Sequence, residues 1–413
     1  MIMVLVLFPD EWVREIWKGE TRGIIFLALI ATFMQGTVWP IASQMGEASR
    51  KTFEVQRLNT VIVLIHFISI FVLWFFGQLT LPSIFFLILI EWSFGALIGY
   101  RLYEFNTEKQ LRRVESNDTS IVVFKEFYEY CLPFIPYALF SFAHDFGDRW
   151  MLQNWGGSSE QAFYTISYQF ATISLIGTTS ILKIFWKEIA EAHQNGNHER
   201  VRILFMKITR GLYFLGAVSA GALIPWTAEI IYMMLGEQYT GAYFTMILMF
   251  IYPVHQSIGQ IGSTLLLATS KTKVQVKLGI AFMALSIILV YYFLAPSDLS
   301  IPGLGLASNG LAWKMVIMQF IQVNILIFII SRLFKWHYDW KYQVYGLLPV
   351  SVIGWLLKLG IVSFSTSSYV FINMGIFVFF YLLFVGFFVY LFPAVSGLKR
   401  EEIDFRQWKR VFK

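Results

Sequence analysis

Residues 141–168 read SFAHDFGDRWMLQNWGGSSEQAFYTISY and place charged groups inside an otherwise apolar segment. The ionisable side chains at its centre are His144, Asp145, Asp148 and Arg149. Such groups are costly in hydrocarbon, so they normally face the interior of a helix bundle or a water-filled cavity. The pair Gly156-Gly157 then predicts a turn into a second apolar run. The stretch therefore predicts a helical hairpin that forms one wall of a polar cavity in a membrane protein.

The composition supports a membrane protein with many spans. Of the 413 residues, 57% are hydrophobic and 14% are charged, whereas soluble chains carry about 25% charged residues. Apolar stretches of about 20 residues, the length that crosses the hydrocarbon core, recur along the chain. We predict an all-α membrane protein with about 11 spans, at 24–44, 59–79, 82–100, 130–150, 162–186, 211–235, 242–268, 278–296, 304–331, 345–364 and 369–392.

The positive charge of the chain indicates its topology and does not indicate nucleic acid binding. Twenty-six of the 32 Lys and Arg residues lie in one alternating set of connections and in the tail: 46–58, 101–125, 183–210, 271–277, 332–341 and 399–413. Loops rich in Lys and Arg stay on the cytoplasmic side of a membrane. We therefore expect these connections and the C-terminus to be cytoplasmic.

Two parts of the chain resemble each other in the same order. LFPDEWVREIWKGETRG, which contains Pro9 and Gly19, corresponds to LIPWTAEIIYMMLGEQYTG, which contains Pro225 and Gly236. Further on, RKTFEVQRL resembles SKTKVQVKL at a nearly constant offset. Both copies run in the same membrane direction, as expected of parallel repeats. Two spans precede the second copy without a counterpart before the first, so the repeat predicts a first lobe that lacks its first helices.

The same segments resemble the oligosaccharide-lipid flippases of the MOP superfamily, the polysaccharide biosynthesis proteins that include Wzx-type O-antigen flippases. The motif from Asp148 to Leu152, followed by AFYTISY from Ala162, is similar to the hairpin that opens the second lobe in that family. LGEQYTGAY from Leu235 resembles a turn of the same family. The chain departs from the family pattern at Ala162, where glycine is usual, and in the missing first helices.

The resemblance implies two six-helix lobes around a central cavity and two added C-terminal helices. We accordingly divide the chain into an incomplete N-terminal lobe (1–115), a second lobe (116–335), and a region of two helices and a basic tail (336–413). The implied function is translocation of a polyprenyl-diphosphate-linked oligosaccharide across the bacterial cytoplasmic (inner) membrane, for O-antigen, lipopolysaccharide, capsule or exopolysaccharide biosynthesis. Membrane lipids are expected partners, and a glycan polymerase and glycosyltransferases are further candidates.

The charged hairpin has two interpretations. Asp145 and Arg149 are four residues apart and can pair on one helix face, and His144 and Asp148 share the same spacing. In the functional interpretation, Arg149 binds an anionic headgroup, and the acids or His144 couple transport to protons or sodium. In the structural interpretation, the cluster is self-paired at the outer interface.

Lys314 is the strongest single candidate for substrate binding. It lies deep in a predicted span that contains no acidic residue, so an anion must come from the ligand or from another helix. Glu91, an isolated acid in the middle of another span, is the alternative partner or a coupling site. Gln256 and Gln260 are candidates to line the cavity and bind sugar hydroxyls, or to bridge helices. Lys358, His66 and His255 are expected to be structural.

Enzymes are the weaker class for this sequence. It has no phosphate-binding glycine-rich loop, no His/Cys spacing for a metal and no nucleophile motif, so we predict no catalytic residue, metal or cofactor. A MATE-like exporter of small cations, coupled to a cation gradient, remains an alternative and would need acidic rather than basic cavity groups. A membrane enzyme of glycan assembly is the other alternative.

Overall fold

The computed structural model describes residues 8–17, 19–49, 51–111, 120–132, 134–364, 370–398 and 400. Most of the chain in these ranges is helical, and these ranges contain no β-strand. The α-helices are α1 (Asp10–Ile16), α2 (Arg22–Phe33), α3 (Trp39–Ala48), α4 (Thr52–Phe75), α5 (Leu81–Leu111), α6 (Ser120–Cys131), α7 (Phe134–Ile173), α8 (Ile176–Gln194), α9 (His198–Leu223), α10 (Thr227–Met234), α11 (Tyr243–Ala268), α12 (Thr272–Leu294), α13 (Ala307–Phe334), α14 (Lys341–Phe364) and α15 (Val370–Leu391).

Eight helical segments of the described chain are long and apolar enough to cross a membrane. They are Arg22–Glu47, Thr52–Phe75, Leu81–Arg101, His198–Met234, Thr272–Leu294, Ala307–Phe334, Lys341–Ser363 and Val370–Leu391. The predicted all-α class is therefore confirmed, and the eight segments fit the predicted multi-pass membrane protein. The other predicted spans, 130–150, 162–186 and 242–268, lie largely in helices but do not meet the same limits of length and hydropathy. The count of eleven stays a prediction.

Helix α11 shows why a span can carry polar residues. It is buried along most of its length and packs against α7, α9 and α13. His255 and Ser257 are among its buried residues. Because other helices rather than lipid surround them, these polar groups can find partners inside the bundle. The helix therefore does not need the uniform hydropathy of a lipid-facing span.

The chain forms two compact units, one within residues 1–123 and one within residues 124–413. In the first unit, Trp39, Ile62 and Trp92 form a small buried core. Gly95 allows α4 and α5 to approach closely, because a Cβ atom there would overlap with Cδ1 of Ile62. The lobe boundaries predicted near 115 and 335 stay predictions.

Met34–Val38 is a π-helical turn between α2 and α3. Pro40 follows it, and in a regular α-helix its ring would clash with the carbonyl group of Gly36. A π turn is wider and accommodates such an interruption. The span predicted at 24–44 is therefore one helical segment built from three pieces.

Helix α7 contains the predicted hairpin. Gly157 interrupts it with φ 83° and ψ −177°, a conformation that only glycine adopts readily. Nη1 of Arg149 donates to Oγ1 of Thr165 over 2.8 Å. In a straight helix, residues sixteen positions apart would be about 24 Å apart. The chain must therefore reverse at Gly157, and the predicted turn is confirmed.

The segments that resemble each other in sequence also share local structure. Gly19 and Gly236 both have positive φ, at 96° and 86°, and each follows a short helix, α1 and α10. The peptide N–H of Lys51 donates to a carbonyl five residues earlier over 2.9 Å, and that of Lys271 does the same over 2.7 Å. Helices α4 and α12 then begin at the next residue, a threonine in both cases. These features support a common origin for the segments, while the two-lobe repeat stays a prediction.

The two C-terminal helices pack within the second unit. Gly221 of α9 and Gly354 of α14 meet so closely that a Cβ atom on Gly354 would overlap with the carbonyl oxygen of Gly221. The hydroxyl of Tyr381 in α15 donates to the carbonyl of Val218 over 2.9 Å. Lys358 donates to the carbonyl of Pro225 and pairs with the carboxylate of Glu229, both at 2.6 Å. Lys358 thus ties α14 to the segment after α9.

Candidate functional site

Lys314 is completely buried in the second unit, where it forms an ion pair. Its Nζ lies 2.5 Å from Oδ2 of Asp148, and the lysine has no exposed surface. Helix α13 positions the lysine and the first half of α7 positions the aspartate. Lys314 was expected to need an anion from the ligand or from another helix, and Asp148 of α7 supplies it. The alternative partner, Glu91, is not the acid that pairs with Lys314.

His144 joins Lys314 to Asp145. Its Nε2 lies 3.2 Å from Lys314 Nζ and 2.8 Å from Oγ of Ser286, and its Nδ1 lies 2.9 Å from Oδ1 of Asp145. An ammonium group only donates hydrogen bonds, so a bond from Lys314 requires Nε2 to carry no hydrogen. We therefore assign a neutral imidazole, with the hydrogen on Nδ1 donated to Asp145.

His144, Asp145, Asp148 and Lys314 contact one another, and we call them the Lys314 cluster. With a neutral imidazole, it contains two carboxylates and one ammonium group, and it is net negative. Asp148 is buried beside the lysine, whereas the side chain of Asp145 is 74% exposed. The surplus negative charge therefore lies on the accessible side of the cluster.

A cavity of about 270 Å³ adjoins the Lys314 cluster. Its lining residues are His144, Asp145, Tyr168, Tyr252, Gln256, Gly279, Phe282, Met283, Ser286, Met315, Met318, Gln319 and Gln322. The hairpin of α7 contributes three of these residues, so it forms part of the wall of a polar cavity, as the sequence predicted. Lys314 and Asp148 lie behind this wall rather than in it.

Arg149 makes different contacts from those that its spacing predicted. Its spacing allowed a pair with Asp145, but it donates to Thr165, and its Cζ lies 4.9 Å from the centre of the Tyr164 ring. In the described part of the chain, these two contacts are both with neutral groups. The physical reason is the hairpin, which brings Thr165 and Tyr164 to the guanidinium group while Asp145 bonds to His144. Among the described residues, Arg149 thus forms no ion pair with an acidic side chain.

A row of tyrosine rings connects Arg149 to the cavity. The ring centres of Tyr164 and Tyr168 are 6.2 Å apart, as are those of Tyr168 and Tyr252. Tyr164 stacks under the guanidinium group, and the other two tyrosines line the cavity. Arg149 is therefore linked by continuous contacts to the polar site, although it does not line the site itself.

Glu91 belongs to a separate pair in the first unit. Its Oε2 lies 2.7 Å from Nδ1 of His66, and the residue is 8% exposed. Its other oxygen is buried and has no hydrogen-bond partner among the described residues. The acid that seemed isolated in the sequence therefore has an imidazole partner on the preceding helix.

Only one of the two glutamines that were predicted to line the cavity does so. Gln256 lines it, whereas Gln260, one turn later on α11, does not. Oε1 of Gln260 is buried without a hydrogen-bond partner in the described ranges. Its position on α11 places its amide beyond the cavity wall.

Several cavity residues were missed by sequence reasoning. Ser286 bonds to His144 but is one serine in the apolar helix α12, so no pattern distinguishes it. On α13, by contrast, Met315, Gln319 and Gln322 recur at intervals of three or four residues. Such spacing places side chains on one helix face. This stripe was a usable signal for the cavity wall.

Within the described ranges, no group of three or more His, Cys, Asp and Glu side chains comes together as a possible metal site. Comparisons with protein-family models, with curated proteins and with solved structures found no match for this chain. The resemblance to the flippase family therefore remains a prediction from sequence motifs.

Proposed function

We propose that this protein is a flippase that moves a polyprenyl-diphosphate-linked oligosaccharide across the bacterial cytoplasmic membrane. The observation that carries the proposal is the polar cavity beside the Lys314 cluster, enclosed by helices of a multi-pass protein. Polar and ionisable groups inside membrane helices are expensive, and they commonly mark a transport pathway. The motif resemblance of the hairpin supports the choice of substrate class.

The cavity offers the chemistry that a glycan needs. Gln256, Gln319 and Gln322 present amides, and Tyr168 and Asp145 add a phenol and a carboxylate. An amide or a phenol both donates and accepts hydrogen bonds. A sugar hydroxyl does the same, so this lining complements a polyhydroxylated ligand better than a purely apolar one.

Arg149 is the stronger candidate for the diphosphate group. The charge of Lys314 is compensated by Asp148 at 2.5 Å, whereas Arg149 contacts the neutral side chains of Thr165 and Tyr164. A guanidinium group binds phosphate oxygens through two parallel hydrogen bonds. We therefore assign the anionic group to Arg149 and give Lys314 a positioning role in the cluster.

Transport of a whole glycan requires the helices to move. The cavity volume of about 270 Å³ is below the roughly 300–1,000 Å³ of typical small-molecule sites. The Lys314 cluster joins α7 and α13, and His144 connects it to Ser286 of α12. A proton on Nε2 of His144 would remove the acceptor for Lys314 and place two cations side by side. Coupling of transport to protons or sodium through the acids or His144 stays a prediction.

The experiment is complementation of a bacterial strain that lacks its own flippase, with surface glycan as the readout. We expect Arg149→Gln to abolish surface glycan and Arg149→Lys to retain part of it. Arg200→Gln is the matched control, because Arg200 forms an exposed ion pair with Glu188. The amount of each variant in the membrane is measured in parallel. Normal surface glycan in an Arg149→Gln, Gln256→Ala double variant would refute the proposal.

The second candidate is a MATE-like exporter of small cations. The specific observation in its favour is that Asp145 lines the cavity and is exposed, whereas Lys314 does not line it. An anionic lining attracts cations. This alternative predicts that the protein confers efflux of a fluorescent cation such as ethidium and that Asp145→Asn abolishes the efflux. Efflux without any restoration of surface glycan would select this alternative.

A further inference from the structure

The end of α13 and the loop before α14 form a recess that the transport proposal does not use. It has a volume of about 600 Å³, and the rings of Trp336, Tyr338 and Trp340 line it. Helix α13 is one of the segments that can cross a membrane, and the recess lies at its C-terminal end. Tryptophan and tyrosine are enriched where membrane helices reach the lipid headgroups. The recess is therefore at the level of the headgroups when α13 spans the bilayer.

The recess is positively charged. Arg332, Lys335 and His337 line it, and its lining contains no carboxylate among the described residues. Asp339 is the acid nearest in sequence, and it is already engaged by Arg210 at 3.1 Å and by the peptide N–H of Lys341 at 3.0 Å. Among the described residues, no acidic side chain in the lining compensates these cations, so they can attract an anion from outside the chain.

The backbone at Lys335 gives an independent indication that this side chain has a role. Lys335 ends α13 with φ 55° and ψ 39°, in the left-handed region. Glycine is the usual residue at such a helix end, because a Cβ atom makes this conformation unfavourable. A lysine at this position makes the backbone less stable than a glycine would, and its side chain lines the recess.

An apolar groove continues from the recess towards the middle of the span. The groove has a volume of about 560 Å³, shares Trp340 with the recess, and includes Phe320 of α13 and Leu347 and Leu348 of α14 in its lining. Two of its polar lining residues bond to each other, since Nε2 of Gln343 donates to Oδ1 of Asn324 over 3.0 Å. The groove can thus receive a hydrocarbon chain without leaving these polar groups unpaired.

We propose that this recess binds the phosphate headgroup of one anionic phospholipid, with an acyl chain in the groove between α13 and α14. Cationic residues hold the phosphate, the aromatic rings surround the glycerol region, and the groove takes the chain. Basic pockets between membrane helices bind anionic headgroups in this way. The proposal is independent of the substrate that the protein transports.

The test uses the full-length protein, delipidated in mild detergent and titrated with phosphatidylglycerol or with phosphatidylcholine of the same acyl chains. Native mass spectrometry counts the lipids retained on each chain. We expect one phosphatidylglycerol to be retained with about tenfold or higher preference, from two or three favourable charges. Raising the ammonium acetate concentration should weaken this preference through screening.

Variants separate lipid binding from folding. Lys335→Gly removes the charge and relieves the left-handed backbone, so its thermal midpoint should equal or exceed that of the wild type while the lipid preference falls. Adding Arg332→Gln should remove most of the remaining preference. The matched control is the Lys273→Gln, Lys277→Gln pair, whose lysines are exposed on another basic segment. We expect this control to bind lipid as the wild type does.

Three results would overturn the proposal. The first is equal retention of phosphatidylglycerol and phosphatidylcholine by the wild type. The second is an unchanged preference in the Lys335→Gly, Arg332→Gln variant. The third is displacement of the lipid by an equal concentration of inorganic phosphate or glycerol phosphate, which would make the recess a site for a soluble anion.

Discussion

At the scale of single residues, Lys314 shows how a charge is kept inside an apolar bundle. Its ammonium group has no exposed surface and bonds to the carboxylate of Asp148 and the imidazole of His144. The attraction within such a pair is offset by the cost of removing both charges from water. The pair therefore adds little net stability, yet each partner depends strongly on the other.

This dependence can be measured with Lys314→Met. The single change leaves Asp148 buried without its counterion, and we expect it to destabilise the protein by about 3–5 kcal/mol. Adding Asp148→Leu removes the unpaired charge and should restore most of the stability. Thermal unfolding in detergent measures both effects. A single variant as stable as the wild type, or a double variant no better than the single, would contradict this account of the pair.

At the scale of elements, the hairpin of α7 depends on one backbone conformation. Gly157 has φ 83° and ψ −177°, and a Cβ atom there would meet nothing within 4 Å. The obstacle to any other residue is therefore backbone strain and not lack of space. The turn brings Thr165 and Tyr164 into contact with Arg149, so it positions the guanidinium group proposed to bind phosphate.

Gly157→Ala should destabilise the protein by about 1–3 kcal/mol, the cost of placing a side chain in a conformation reserved for glycine. Gly147 is the matched control, because it lies in the same element with ordinary helical φ and equally open space. Gly147→Ala should stabilise the helix by roughly 0.5–1 kcal/mol. Thermal unfolding midpoints decide the comparison, and equal effects of the two substitutions would show that the turn is not strained.

The crossing of α9 and α14 is limited by space instead. Gly354 touches the backbone of Gly221, whereas Gly360, later on the same helix, has nothing within 4 Å of a Cβ position. Small residues at helix crossings in membranes allow backbones to pack closely. The crossing fixes the C-terminal helices to the rest of the second unit.

Gly354→Ala should therefore push α14 away from α9 and cost about 1–3 kcal/mol, as overpacking usually does. Gly360→Ala is the control and should not destabilise the protein. The measurement is again thermal unfolding in detergent, with the yield of folded protein as a second readout. If both variants were equally stable, the close approach of the two helices would not contribute to stability.

At the scale of the whole molecule, the distribution of basic residues fixes the expected orientation. The connection that contains Asn195 is in the basic set, whereas Ser300 lies in the loop between α12 and α13 on the opposite side. Both residues are exposed. Their accessibility from the two sides of the membrane therefore reports the topology directly.

In a Cys131→Ser background, we expect Ser300→Cys to react with a membrane-impermeant maleimide in intact cells. Asn195→Cys should react only after the cells are permeabilised, because its connection is expected to be cytoplasmic. The reverse pattern would invert the predicted topology. Labelling of both sites in intact cells would instead indicate that the two loops lie on the same outer side.

The sequence by itself determined the helical class, the segments apolar enough to cross a membrane and the hairpin turn. These features depend on local chemistry. An apolar stretch of about 20 residues indicates a membrane helix. The glycine pair at 156–157 indicates that the chain reverses there. Each of these signals is contained within a short window, so neighbouring residues suffice to predict the outcome.

Only the tertiary structure decided which charges meet. The spacing rule allowed Asp145 to pair with Arg149, but Asp145 bonds to its sequence neighbour His144, and the hairpin brings Thr165 to Arg149. Lys314 bonds to Asp148, 166 residues earlier in the chain. Partners on different helices are chosen by how the helices pack, and no local pattern contains that information. The polar cavity could therefore be expected from the sequence, whereas its ion pair and its accessible charge came from the packing of α7, α12 and α13.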